Sequence, residues 1–149
     1  MIPLRLAKFV IDKLRQSSGG LKIDSSWLET TTLPGAFNPA LPSAQNISAL
    51  RIVSSLNGQY GYADPLDPIA AWAIAGISLQ SVSTGGLLAP ANNQVVADQS
   101  WNWVRGSPVF LGANGTLTQI SPITGYLVTV ARVFDSKTLF IHIEDPIKL

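Results

Sequence analysis

Residues 106 to 149, GSPVFLGANGTLTQISPITGYLVTVARVFDSKTLFIHIEDPIKL, are interrupted too often for a long helix to form. Ser107 to Leu111 is a short apolar run. Gly112-Ala113-Asn114-Gly115 turns the chain, and Thr116 to Gln119 alternates polar and apolar residues. Ser121-Pro122 breaks the pattern. Tyr126 to Phe134 is a second run of strand formers, Asp135-Ser136-Lys137 turns it, and Thr138 to Ile143 returns. Short β-branched and aromatic runs bounded by Gly, Asn, Asp and Pro are the signature of an antiparallel sheet. This stretch is the expected scaffold.

The whole chain has 149 residues, enough for one ordinary domain with an arm. Its formal charge is +1, so no strong field points to nucleic acid or an anionic membrane. Charged residues make up 13% of the sequence, against about a quarter in typical soluble domains. A small domain has much surface to cover, and few charges are present to cover it. Part of the apolar surface is therefore expected to be covered by other subunits. A neutral polar surface of Ser, Thr, Asn and Gln is the alternative. Cysteine is absent, which removes disulfides and thiolate metal sites. Lys8, Asp12, Lys13 and Arg15 interrupt any secretory-leader pattern. No run approaches the roughly 20 apolar residues of a membrane-spanning helix.

Taken in order, residues 4 to 16 fit a helix with Leu6, Val10 and Leu14 on one stripe. Such a helix docks on a partner or packs on its own domain. It is short and weakly charged for a membrane-surface helix. Residues 21 to 46 read as extended loop, because Pro34, Pro39 and Pro42 cannot donate to a ladder. Trp27, Leu28, Leu33, Phe37 and Leu41 make it an apolar arm laid over a surface. Residues 1–46 are thus read as helix and arm, and 47–149 as a β-rich domain.

Ser48 to Leu56 is the first expected strand, and Asn57-Gly58 the strongest hairpin signal. Tyr60 to Ala63 is its return. Asp64 and Asp67 flank a rigid turn; two oxygen ligands fall short of calcium's six or more, so turn capping is the expected role. Asp67 as N-cap and Pro68 at the first helical position would start a short helix. Residues 69–74 are left open between helix and strand, and 75–82 are expected to be strand. Gly85-Gly86 turns the chain, and Gln94 to Ala97 is a further strand. Trp101 and Trp103 lie on one face of an extended segment, either plugging a core or subunit interface or stacking a ligand.

Catalytic chemistry is missing from the pattern. His142 is the single histidine, expected on the face of Phe140 and Glu144 and opposite Leu139, Ile141 and Ile143. It has no second histidine or cysteine for a metal site and no Gly-x-Ser-x-Gly elbow for a triad. No phosphate-binding loop is present, since the Gly-rich turns lack a lysine and a following helix. The chain is expected to be non-enzymatic and free of cofactors.

From Ser54 to the C-terminus the sequence resembles small structural proteins of tailed bacteriophages. The resemblance is carried by Tyr62-Ala63-Asp64 ending a hairpin before an Ala-rich segment, and by Gly76-Ile77-Ser78-Leu79. It continues through Ser100 to Trp103, residues 106 to 119, Pro122 to Tyr126, residues 130 to 141, and a closing Pro146 to Leu149. It covers residues 47 to 149. The resemblance implies a mainly β fold, a small antiparallel β-barrel or β-tulip-like domain, with symmetric homo-oligomers and no catalysis. It also implies a virion protein assembled in the bacterial cytoplasm. Its partners would be further copies of itself, as a homotrimer, and the major capsid protein, or else tail and baseplate proteins; nucleic acid and membrane are not among them. Residues Leu6, Val10, Leu14, Trp27 and Phe37 would form the partner-binding helix and arm, and Trp101 and Trp103 are candidate interface aromatics. A host-glycan module using Trp101, Trp103, Tyr60 and Tyr62 is the competing expectation.

Overall fold

The computed structural model describes residues 38–149. The expected helix and most of the arm, with Leu6, Val10, Leu14, Trp27 and Phe37, lie outside the described residues. The last part of the expected arm, 38–46, is built into the β domain. Asn38 Nδ2 donates to the carbonyls of Ala75 (3.0 Å) and Pro90 (2.9 Å). Leu41–Pro42 forms β1, Ser43 is fully buried, and Ile47 is core. Pro42 is tolerated because β1 is an edge strand that pairs only with β5, Leu87–Leu88.

The fold is mainly β, and every strand pair is antiparallel. A three-stranded sheet joins β2 (Ile52–Leu56), β3 (Gln59–Tyr62) and β4 (Ile74–Ile77), with β2 in the centre. A five-stranded sheet joins β6 (Gln94–Ala97), β7 (Val109–Leu111), β8 (Leu117–Thr118), β10 (Thr129–Asp135) and β11 (Thr138–Ile141), in the order β6-β11-β10-β7-β8. β9 (Tyr126–Leu127) pairs with β12 (Ile147–Lys148). The scaffold expected from residues 106 to 149 is this five-stranded sheet, completed by β6. The sheets are open: no closed barrel forms among the described residues.

The Asn57-Gly58 hairpin forms as its sequence demands. Leu56 pairs with Gln59, and both turn residues have positive φ, 53° and 74°. This primed turn matches the right-handed twist of the flanking strands. The strand before it is shorter than expected. Leu50 takes φ 62° and turns the chain, so β2 starts only at Ile52.

Residues 69–74 resolve as a short helix followed by strand. Helix α1, Pro68–Trp72, starts where Asp67 Oδ1 accepts the N–H groups of Ile69 (3.0 Å) and Ala70 (3.3 Å). Proline at the first position loses nothing, because that N–H has no partner within a helix. β4 begins two residues after α1 ends. Its register against β2 slips by one residue at Ala75, a bulge that turns Ala75 towards a second core. The strand expected over 75–82 stops at Ile77. There the Ser78 hydroxyl donates to the Ser48 carbonyl (2.7 Å) and accepts the Arg51 N–H (3.1 Å), and the chain peels away. Only Val82 rejoins, bridging Ile47. The run Tyr126 to Phe134 is likewise two strands, separated at Val128, whose carbonyl receives the Leu111 N–H at 2.9 Å.

Two apolar clusters fill the domain. The larger contains Ile52, Ile77, Val109, Leu111, Val128, Val130, Leu139 and Ile141. The smaller contains Ile47, Val53, Tyr60 and Leu88. Ile52 and Val53 are neighbours on β2 and point to opposite faces, so the three-stranded sheet lies between both clusters.

Two glycine substitutions should separate backbone conformation from packing. Gly58 and Gly115 both have positive φ, but a Cβ at Gly58 meets nothing, whereas one at Gly115 falls 2.3 Å from the Ile52 carbonyl oxygen. Gly58→Ala is expected to cost about 1 kcal/mol and Gly115→Ala at least about 3 kcal/mol in urea unfolding. Asp67→Ala is expected to cost about 1 kcal/mol by loss of the α1 cap.

Candidate interaction surface

The tryptophan segment is held by the turn between β10 and β11. The Asp98 N–H donates to the Lys137 carbonyl and the Trp103 N–H to the Ser136 carbonyl, each at 2.9 Å. The Lys137 ammonium donates to the Trp101 carbonyl. The turn is itself fixed by Asp135, whose carboxylate accepts the Lys137 N–H at 2.9 Å. That bond, with help from the Thr138 side chain, holds the Asp135 carboxyl below the usual aspartate range.

Trp101 and Trp103 meet edge to face, with centroids 5.8 Å apart and planes at 61°. Both are half-buried and pack against the larger core cluster. Trp103 Nε1 is enclosed without a hydrogen-bond partner. An edge-to-face pair sunk into a core plugs that core and offers no flat shelf for a sugar or base. The four-aromatic glycan platform is not assembled. Tyr60 is fully buried in the smaller cluster, its hydroxyl donating to the Pro39 carbonyl at 2.7 Å, and burial raises its pKa. Tyr62 packs beside that cluster, with the Arg51 guanidinium 5.3 Å from its ring centroid. Burial alone would raise the Tyr62 pKa, but hydrogen bonding from Ser48 and the Arg51 charge outweigh it and lower the value.

His142 lies where the alternation places it. Leu139 and Ile141 are fully buried on the opposite face, and His142 is exposed beside Phe140. Its ring is nearly parallel to that of Phe140, 6.1 Å away at 10°, and Nδ1 lies 3.0 Å from Asn93 Oδ1. Phe134 continues the row, 6.2 Å from Phe140 at 13°. This three-ring row runs from Phe134 on β10 across Phe140 on β11 to His142 just beyond it. Phe134 joins it from the irregularity in the β10–β11 pairing between Val133 and Asp135, which the spacing within one strand does not reveal.

A second apolar region surrounds Gly125. The Tyr126 N–H donates to the Pro65 carbonyl at 2.8 Å and the Leu149 N–H to the Gly125 carbonyl at 3.0 Å. Three chain segments therefore meet where Leu66 is 67% exposed and Ile123 is 91% exposed. On α1, Trp72 is 61% exposed. Trp72 borders an open cavity of about 230 Å³ with Ile74, Asn92, Glu144 and Asp145. A cavity of this size and openness falls short of a typical small-molecule pocket.

Asp64 and Asp67 serve turns, as expected. Asp64 Oδ1 accepts the Leu66 N–H at 2.9 Å, and Asp67 caps α1. Among the described residues no group of three His, Cys, Asp or Glu side chains stands where a metal could be held. No described helix is long and apolar enough to cross a membrane.

Trp101→Ala is expected to lower unfolding stability by about 2–3 kcal/mol, below the roughly 3–5 kcal/mol of a core aromatic because Trp101 is only half-buried. The Asp135 carboxylate is stabilised in the folded state, so its contribution is complete above the ordinary aspartate range. It is lost as pH falls through the lowered folded value. The urea-midpoint difference between the parent and Asp135→Asn should be constant near neutrality and shrink in acid.

No protein-family model matches the chain, and no curated protein matches it.

Proposed function

We propose that the chain is a non-enzymatic structural protein of a tailed-bacteriophage virion, a capsid decoration protein that reinforces the head through repeated contacts. The resemblance over residues 47 to 149 supplies the virion. The observation that carries the structural role is the surface of the β domain. Large apolar side chains stand exposed, Leu66 on a hydrogen-bonded turn, Ile123 on the loop just before Gly125 and Trp72 on α1, in a chain with few charges. Large apolar groups left exposed on a small, charge-poor domain support packing by another protein. Trimers on a lattice would use each weak contact many times, so avidity replaces single-site affinity. Residues 1–37 would reach a neighbouring subunit or the shell, using Leu6, Val10, Leu14, Trp27 and Phe37.

The truncation that tests the arm must stop at residue 37. Removing residues 38–46 as well would delete β1 and the Asn38 bonds, together with the buried Ser43. Light scattering of the full-length chain is expected to give the mass of a trimer. The protein lacking residues 1–37 is expected to remain trimeric and to lose binding to undecorated heads. Normal decoration by the truncated protein would overturn the role given to the arm. A full-length monomer that fails to bind heads would overturn the decoration role in favour of a tail or baseplate adaptor.

A further inference from the structure

The sequence contains two Asn-Gly dipeptides, Asn57-Gly58 and Asn114-Gly115, and both asparagines adopt the same left-handed backbone conformation, φ 53° and 54°. Both side chains are exposed. By local sequence and conformation they are equivalent, and the tertiary structure treats them differently. We infer that Asn57 is a site of spontaneous backbone-assisted deamidation, and that Asn114 is protected from the same reaction by the fold.

The reaction needs no partner but water. The backbone nitrogen of the following glycine attacks the asparagine Cγ and forms a new C–N bond. The side-chain nitrogen leaves as ammonia, taking the proton that the glycine N–H gives up. Water then opens the five-membered imide at either carbonyl, giving aspartate or isoaspartate. Glycine favours the step because it has no side chain to obstruct the attacking nitrogen.

Ring closure requires the peptide plane after the asparagine to turn about the asparagine Cα–C bond. At Asn114, φ 54° and ψ 40° turn the next nitrogen away from Cγ, so the native turn must open first. Opening at this site breaks specific contacts. The carbonyl of the rotating peptide accepts Arg51 Nη1 at 2.9 Å. Its nitrogen belongs to Gly115, which is buried with its α-carbon against the Ile52 backbone. The Asn114 N–H is also directed at Asp64 Oδ2, at 3.4 Å. At the other site the rotating peptide lies at the tip of the β2–β3 hairpin. Leu56, Asn57, Gly58 and Gln59 are all exposed, and no heavy atom lies within 4 Å of a Cβ placed on Gly58. Among the described residues no side-chain hydrogen bond is made by Asn57. Local opening of an exposed tip costs far less than opening a packed loop, so the attacking geometry is reached more often there.

The product changes the hairpin and the charge together. Either acid adds one negative charge, which takes the formal charge from +1 to zero. Isoaspartate also lengthens the backbone inside the two-residue turn that sets the Leu56 to Gln59 register.

The experiment incubates the full-length chain at mildly alkaline pH and follows each asparagine by peptide mass spectrometry, with a parallel sample in denaturant. In the folded chain Asn57 is expected to convert at least about tenfold faster than Asn114, because only Asn114 must break packed contacts to react. In denaturant the two rates are expected to converge, since both sites share the Asn-Gly sequence. Arg51→Gln is expected to raise the Asn114 rate in the folded protein and leave Asn57 unchanged. Equal rates in the folded chain, or faster conversion at Asn114, would overturn the inference. So would a difference that persists in denaturant, because it would then belong to the sequence and not to the fold.

Discussion

The domain depends on β2 being buried on both faces. Ile52 enters the larger cluster and Val53 the smaller one, so one pair of neighbouring residues joins the two halves of the core. Full burial of each is worth on the order of 1.5–3 kcal/mol. The polar groups of this strand are satisfied from every side. Ser54 Oγ donates to the Ala70 carbonyl of α1 at 2.6 Å, the Ile52 carbonyl receives the Ala63 N–H at 3.0 Å, and the Ser55 N–H reaches the Ala73 carbonyl at 2.9 Å. An unpaired polar group at such depth costs about 1–3 kcal/mol, so α1 and β4 are fixed where they can meet these demands. Gly115, in the turn between β7 and β8, lies against the same strand and ties the five-stranded sheet to it.

That arrangement explains where the exposed apolar groups lie. Three-stranded and five-stranded sheets turn their inner faces to the core, and the connections are left to carry whatever the core does not need. Leu66 and Trp72 sit on a turn and a one-turn helix held by backbone hydrogen bonds, and Ile123 sits on the loop two residues before Gly125. All three are exposed. Such positions leave more apolar surface uncovered than the tryptophan pair does, because Trp101 and Trp103 already spend much of their surface on the core.

The local features of the fold were largely legible in the sequence. The Asn57-Gly58 hairpin, the Asp67-Pro68 helix start and the face occupied by His142 follow from turn chemistry, capping and strand alternation, each an interaction among residues a few positions apart. The scaffold strands between 106 and 149 were legible for the same reason. What escaped was set by distant partners. Strand 75–82 stops at Ile77 because of Ser78 bonding to the chain 27 and 30 residues earlier. Residues 38–46 read as an arm laid over a surface of the same or a neighbouring subunit, and only the structure shows that they lie on their own β domain, because proline and small polar residues hide the pairing of β1 with β5.

The sequence by itself determined that this is a charge-poor, cysteine-free, antiparallel β protein without a recognisable catalytic constellation, since composition, turn residues and periodicity act through short-range chemistry. Only the tertiary structure decided which aromatics are core and which are surface, that the sheets stay open, and which of two identical Asn-Gly turns is shielded. Those outcomes depend on contacts between segments far apart in the chain, and the same dipeptide or the same tryptophan behaves differently according to what packs against it.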